Sequence, residues 1–335
     1  MDKNNNIFQK IQQLDRRYIY IILAVAIILP LIFPYNSKTY TTKPAENIYR
    51  MIDSFAPVFP EGATEEEKDA IAMAHDKAVM LAFWHDASTM SELFPMELSI
   101  IRHCFERRIK FFTFTIFATS APIIDMAINE VKKSDPEKYG NKKSGEDYVN
   151  FGYKVSSLLL PIIFGMGEDI SDAMDIDAEG RKVSSLPIMT NIKNYNDMNL
   201  VIDFSASSAG TYWIYYARPR FGVNVAVGVT AVMAADTYPQ LQTGQFIGML
   251  AGMKGAAEYE KLVDVFASTQ REFSSEILRN EAEPIISGDT NLPYPFRQAR
   301  IGMNAQSIAH ILIIVFILIG NVGFFVQKHL QKNDN

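Results

Sequence analysis

The sequence predicts an α/β domain, a Rossmann-like and mainly parallel sheet of about five strands, set between an N-terminal and a C-terminal transmembrane helix. Three observations predict it. Short apolar or β-branched runs alternate with longer helical stretches through the middle of the chain. Residues 18–34 (YIYIILAVAIILPLIFP) carry no charge, and residues 307–326 (SIAHILIIVFILIGNVGFFV) carry only His310. The chain has 335 residues and is 48% hydrophobic, enough to bury a sizeable core besides the two apolar stretches.

About 20 apolar helical residues cross a bilayer, and both stretches come near that length, the first slightly short. A secretory signal would also have a basic front and an apolar middle. The exit Ile32-Phe33-Pro34-Tyr35-Asn36, however, lacks the small residues of a cleavage site, so an uncleaved anchor is the reading. Lys3, Lys10, Arg16 and Arg17 precede the first stretch, and Lys328 and Lys332 follow the second, which places both ends in the cytoplasm. The expected organisation is a cytoplasmic tail (1–17), a membrane helix (18–34), a spacer (35–63), an extracytoplasmic domain (64–306), a second membrane helix (307–327) and a short cytoplasmic tail (328–335). The tails hold six of the 32 Lys and Arg and three of the 38 Asp and Glu, leaving the loop between them at net −9. That balance argues against nucleic acid as a partner, because phosphate backbones reward clustered positive charge. The single cysteine, Cys104, excludes an intramolecular disulfide, so packing must hold the fold.

In chain order, a short helix is expected over 45–54, and Thr64 with Glu67 forms a capping box that opens a helix running to about Lys77. Strands are expected at Ala78–Trp84, Lys110–Ala118, Asp147–Phe151, Leu200–Phe204 and Val223–Val232. Helices are expected at Ser91–Arg108, Ala121–Lys133, Ser156–Ile170 and Gly210–Arg218. The long break before Leu200 favours the strand order 3-2-1-4-5. Within the acidic stretch 167–181, Asp175, Asp177, Glu179 and Gly180 match the start of a calcium loop. Leu186 stands where its closing Glu would be, so a solvated hairpin or loop is the better reading.

In an open parallel sheet, ligands bind beyond the carboxyl ends of the strands, where helix N-termini converge. That rule selects His85, Asp86, Ser88 and Thr89 after the first strand, Thr119 and Ser120 after the second, and Tyr153 and Lys154 after the third. It also selects Asp203, Ser205, Ser207 and Ser208 on and after the fourth, and Asp236, Thr237 and Tyr238 after the fifth. His85, Asp86, Ser205 and Ser207 are the candidate catalytic residues, sharing the crevice if strands one and four are neighbours. Ser88, Thr89, Ser120, Tyr153, Lys154, Asp203, Asp236 and Tyr238 are candidate ligand contacts. Capping competes at every one of these positions, since Ser, Thr and Asp are what helix starts require. Ser205 lacks the flanking glycines of a nucleophile elbow, and only His310 and His329 follow it. HExxH, CxxC, Walker A and GxGxxG are all absent, so neither a metal nor a cofactor is expected.

Gly244, Gly248 and Gly252 recur at every fourth position, which on a helix makes a smooth face for close packing or self-association. Residues 146–154 (EDYVNFGYK), 228–232 (GVTAV) and 255–260 (GAAEYE) resemble an uncharacterised family of membrane-anchored bacterial and archaeal proteins, over about residues 145–262. Where that family has Pro-Gly after Gly-Tyr-Lys, this chain has Val155-Ser156. The resemblance implies a membrane-anchored topology and brings no activity or catalytic residues. The expected function is a non-catalytic binding or scaffold component of a cell-envelope assembly, self-associating or held to other envelope proteins, with a possible small ligand. The alternative is an envelope hydrolase using His85, Asp86 and Ser205 or Ser207.

Overall fold

The computed structural model of the chain describes residues 15–35, 38–280 and 294–333; the expected tail residues 1–14 and 334–335 lie outside them. The chain divides into an α/β unit, Lys38–Arg300, and a second unit made of residues 1–37 and 301–335. The strands are β1 (Ala78–Trp84), β2 (Lys110–Thr115), β3 (Tyr148–Tyr153), β4 (Leu200–Ser205), β5 (Asn224–Val229) and β6 (Gly248–Ala251). The principal helices are α1 (Arg16–Ile32), α2 (Lys43–Asp53), α3 (Glu65–Ala74), α4 (Met90–Glu106), α5 (Ala121–Ser134), α6 (Leu159–Gly165), α7 (Ala231–Gln242), α8 (Gly252–Leu262) and α9 (Gln298–Asn333).

All six strands are parallel, in the order β3-β2-β1-β4-β5-β6. This is the expected order with one strand added. Every residue of β1 is buried, which its unbroken apolar run AVMLAFW dictates for a central strand covered on both faces. One face of the sheet packs Met80, Trp84, Phe112, Phe151, Val201 and Val227 against α6, Trp213 and the irregular stretch around Ile188. The other is covered by α4, α5 and α8. Trp84 lies opposite Ser205 in the β1–β4 ladder, so the strand-order reversal falls between the ends of these two strands.

The expected helix through Gly244, Gly248 and Gly252 does not form. Gly244 adopts φ +72° just past the end of α7, Gly248 opens β6, and Gly252 at φ +55° opens α8. Three glycines inside one helix would cost about 3 kcal/mol relative to alanine, whereas a turn and a strand edge use their freedom. Gly248 does allow a close approach, but by α2: a side chain there would collide with Pro44 and Ile48. That helix, expected in a spacer, buries Ala45, Ile48, Tyr49 and Ile52 completely and belongs to the domain.

Ser156–Ile170 is likewise not one helix. A 3₁₀ turn leads into α6, which ends at Gly165, and Asp169 caps a separate turn by accepting from Ser171 N at 2.8 Å. The expected hairpin near Asp175 is present as an antiparallel bridge between Ile176 and Lys182. Asp177 is buried rather than solvated, accepting from Glu179 N and Arg181 N at 3.0 and 2.8 Å.

Among the described residues, one helix is long and apolar enough to cross a membrane: α9, over Gln298–Phe325. The expected N-terminal span is not evident as such. At 17 residues, α1 rises about 26 Å against a hydrocarbon core of about 30 Å, and Pro30 lies inside it.

Candidate functional site

The four strands β1 to β4 each end in a 3₁₀ turn before the next helix, and these turns hold most of the residues selected from the sequence. After β1, the Asp86 carboxylate accepts from Ser88 N at 2.8 Å and from Ser88 Oγ at 2.5 Å, which lowers its pKa. Thr89 Oγ1 turns back to the Asp86 carbonyl at 3.3 Å. After β4, Ser207 Oγ accepts from Ala209 N at 3.3 Å and Ser205 Oγ donates to the Ser207 carbonyl at 3.0 Å. Ser120, fully buried, donates to the carbonyl of His85 and so ties the β1 and β2 exits together. Lys154 donates to the carbonyls of Met174 and Ile176, both at 2.8 Å, closing the end of that turn. These are capping roles. They satisfy backbone groups that would otherwise be stranded at the strand-to-helix turns.

His85 and Asp203 instead enter the core. The His85 side chain is wholly buried, with Nε2 at 2.5 Å from Glu97 Oε1 and Nδ1 at 3.1 Å from the Asp86 carbonyl. Burial works against the imidazolium, but Glu97 outweighs it and the His85 pKa rises. Burial likewise pushes the Glu97 carboxyl up, against the pull of His85. Asp203 sits in mid-strand, fully buried, accepting from Trp213 Nε1 at 3.1 Å. Its Oδ1 makes no hydrogen bond within normal geometry among the described residues, and burial raises its pKa to about 7. Trp213 stacks on Trp84 with ring centroids 5.7 Å apart. A π-helical turn over Trp213–Ala217, where a regular helix was expected, forms this part of the chain.

The β4 and β5 ends enclose a cavity of about 50 Å³ lined by Ser205, Ser207, Asp236 and Thr237 among others. It is far smaller than the roughly 300 Å³ at which small-molecule sites begin. His85 and Asp86 do not line it. Although Trp84 and Ser205 are ladder partners, the side chains after them diverge, and among the described residues no hydrogen bond joins His85 to Ser205 or Ser207. A general base must reach its proton, and both ring nitrogens of His85 are taken inside the core. Tyr153 and Tyr238 are exposed. Comparison with protein-family models, with curated proteins and with solved structures gave no match.

Sequence reasoning missed a second constellation, on α8. Glu258 accepts from Thr42 N and Thr42 Oγ1 at 2.9 and 2.6 Å, capping the start of α2. Glu260 accepts from Ala299 N at 2.8 Å and from Arg300 N at 3.1 Å, which are first-turn amides of α9. Lys261 donates to the Thr39 carbonyl at 2.7 Å. Asp264, just past α8, binds both Arg102 and Arg300. One helix therefore fastens both segments by which the α/β unit continues into the apolar helices. A carboxylate is suited to the task, because helix N-termini carry free N–H groups and partial positive charge. The only sequence signal was the paired carboxylates of GAAEYE on an otherwise small-residue stretch. Glu97 and Trp213 were also missed. Glu97 shares a helix face with Leu93, Ile100, Ile101 and Cys104, a spacing that marks a carboxylate placed among core positions.

Proposed function

We propose that this chain is a membrane-anchored binding component of a cell-envelope assembly, with its α/β domain outside the cytoplasm and a protein partner at the C-terminal edge of the sheet. One observation carries the reading. Phe117, Tyr153, Val155, Leu158, Tyr212 and Tyr216, at the end of β3 and on the segments after β2, β3 and β4, are all large apolar side chains left exposed. Tyr212 and Tyr216 stack on each other, centroids 6.0 Å apart. Exposed large apolar groups gathered at one edge are unusual on a monomer, and tyrosine is enriched where proteins meet. The capped turns below them are fixed by hydrogen bonds, which keeps such a surface rigid and lowers the entropy cost of binding.

The anchor is α9, and α1 serves as a second anchor despite its shortness, tilted little and helped by its basic flank. Flanking cations set both ends in the cytoplasm. Self-association is the simplest form of the assembly. Native mass measurement of the detergent-extracted protein is expected to give a multiple of the 37.8 kDa chain or a defined larger complex. Changing Tyr153 and Tyr212 together to serine is expected to weaken that association by about tenfold or more per residue, as for buried aromatic anchors. A strictly monomeric, partnerless species would contradict the reading.

A further inference from the structure

We propose that a cavity at the opposite edge of the sheet, beside the N-terminal ends of β2 and β3, binds a small organic monocarboxylate through Lys110. The cavity measures about 350 Å³. That is within the range of small-molecule sites, roughly 300–1,000 Å³. Its walls come from α3, the last turn of α4 with the residues after it, and the segment preceding β3.

Lys110 opens β2 and is buried. Its ammonium donates to the carbonyls of Met73 and His75, each at 2.7 Å. Those carbonyls end α3, and closing a helix end is a structural task for a lysine. That task uses two of three N–H donors and leaves the charge unpaired. The other cations on the wall each have a carboxylate. Lys142 meets Asp147 at 3.0 Å, Lys143 meets Glu146 at 3.1 Å, and Arg108 binds Glu65 and Asp69. No carboxylate lies within ion-pair distance of Lys110 among the described residues.

Of the four cations that line the cavity, Lys110 is the one with no carboxylate at ion-pair distance among the described residues. Its charge matches a monoanion and disfavours a phosphate dianion, which would leave its second charge uncompensated in a partly dry site. Met73, Phe105 and Ile109 supply an apolar wall for an organic body. Arg108 adds an independent sign of selection for side chains here. It sits at φ +53° just after α4, with Arg108 N to Phe105 O and Ile109 N to Cys104 O closing the helix end. Glycine is the usual residue in that conformation, because a side chain there costs about 1–2 kcal/mol.

Burial lowers the Lys110 pKa to about 8, with Asp76 opposing. Facing it are His75, Asp69 and Asp76 from α3 and its exit, Arg108 and the buried Cys104 from α4 and its exit, and Lys142, Lys143, Glu146 and Asp147 from the segment before β3. The test uses the full chain in detergent, titrated calorimetrically with octanoate and phenylacetate, and with phenylacetamide and phenyl phosphate as controls. At least one carboxylate is expected to bind at millimolar concentration or better, and the amide and the phosphate more weakly. Affinity for the carboxylate is expected to fall as pH rises through about 8, approaching tenfold per unit. Lys110→Met is expected to weaken it at least tenfold. Should that variant misfold, the pH series on the unaltered protein decides alone. No binding by either carboxylate, equal binding of the amide, or affinity that stays flat across the titration of Lys110 would overturn the proposal.

Discussion

Replacing Glu260 with alanine is expected to destabilise the α/β domain by about 3–5 kcal/mol, the cost of stranding buried charge and helix-end donors. Glu260 is fully buried, and its two oxygens serve Ala299 N, Arg300 N and Arg300 Nε. Without it, the first-turn amides of α9 lose their acceptor, and the Arg300 guanidinium keeps only Asp264 as a carboxylate. Glu260→Gln keeps an acceptor but loses the charge, so an intermediate loss is expected. Both tryptophans of the chain, Trp84 and Trp213, lie in the core beside the sheet, so intrinsic fluorescence during urea unfolding reads this domain directly. A Glu260→Ala protein within 1 kcal/mol of the unaltered one would show that α8 does not fasten α9.

The second large effect is a pH dependence centred on Asp203. Its folded-state pKa, about 7, stands above the ordinary 3.8 because full burial penalises the charged carboxylate more than its hydrogen bonding favours it. Below the ordinary value both folded and unfolded chains hold this proton, and the group contributes nothing adverse. Between the two values the unfolded chain ionises first, so stability falls as pH rises, and it levels off above the folded pKa. Three units of separation set an upper figure of about 4 kcal/mol. Asp203→Asn removes the titration while keeping an acceptor for Trp213 Nε1. The variant is therefore expected to match the unaltered protein near pH 4 and to exceed it progressively up to about pH 7. Taking the difference between the two proteins cancels the other titrating groups. A difference that does not change with pH would contradict the burial of an ionisable Asp203.

Much of the architecture was legible from the sequence, for identifiable reasons. β1 is an unbroken apolar run and β2 and β4 are mostly apolar or β-branched, and such runs have few alternatives once turn residues bound them. The capping box at Thr64 and Glu67 formed as read, because its geometry is local. The sixth strand was not legible. It has four residues, opening on Gly248 and followed by Gly252, and its glycine spacing imitates a helix face. What decides it is the ladder to β5, a tertiary contact.

The site followed the same division. The Asp86 and Ser207 turns were legible as caps, since their partners lie two residues away. The partners of Glu258 and Glu260 lie across the chain, at Thr42 and at Ala299 and Arg300, so no local pattern could name them. His85 was selected for its chemistry and its place after β1. Position in sequence could not reveal that the ring turns inward to Glu97 instead of outward toward Ser205. A buried Asp in the middle of LVIDF does demand a donor, and the strand alone leaves Trp213 unspecified.

The reading of this protein as an envelope component depends most on which side of the membrane holds the α/β domain. Protease added to sealed cells tests this directly, with an antibody to the domain as the readout. The account predicts that the domain is cut without lysis while a cytoplasmic marker stays whole. A domain that survives in sealed cells and is digested only after they are opened would place it in the cytoplasm and remove the proposed role.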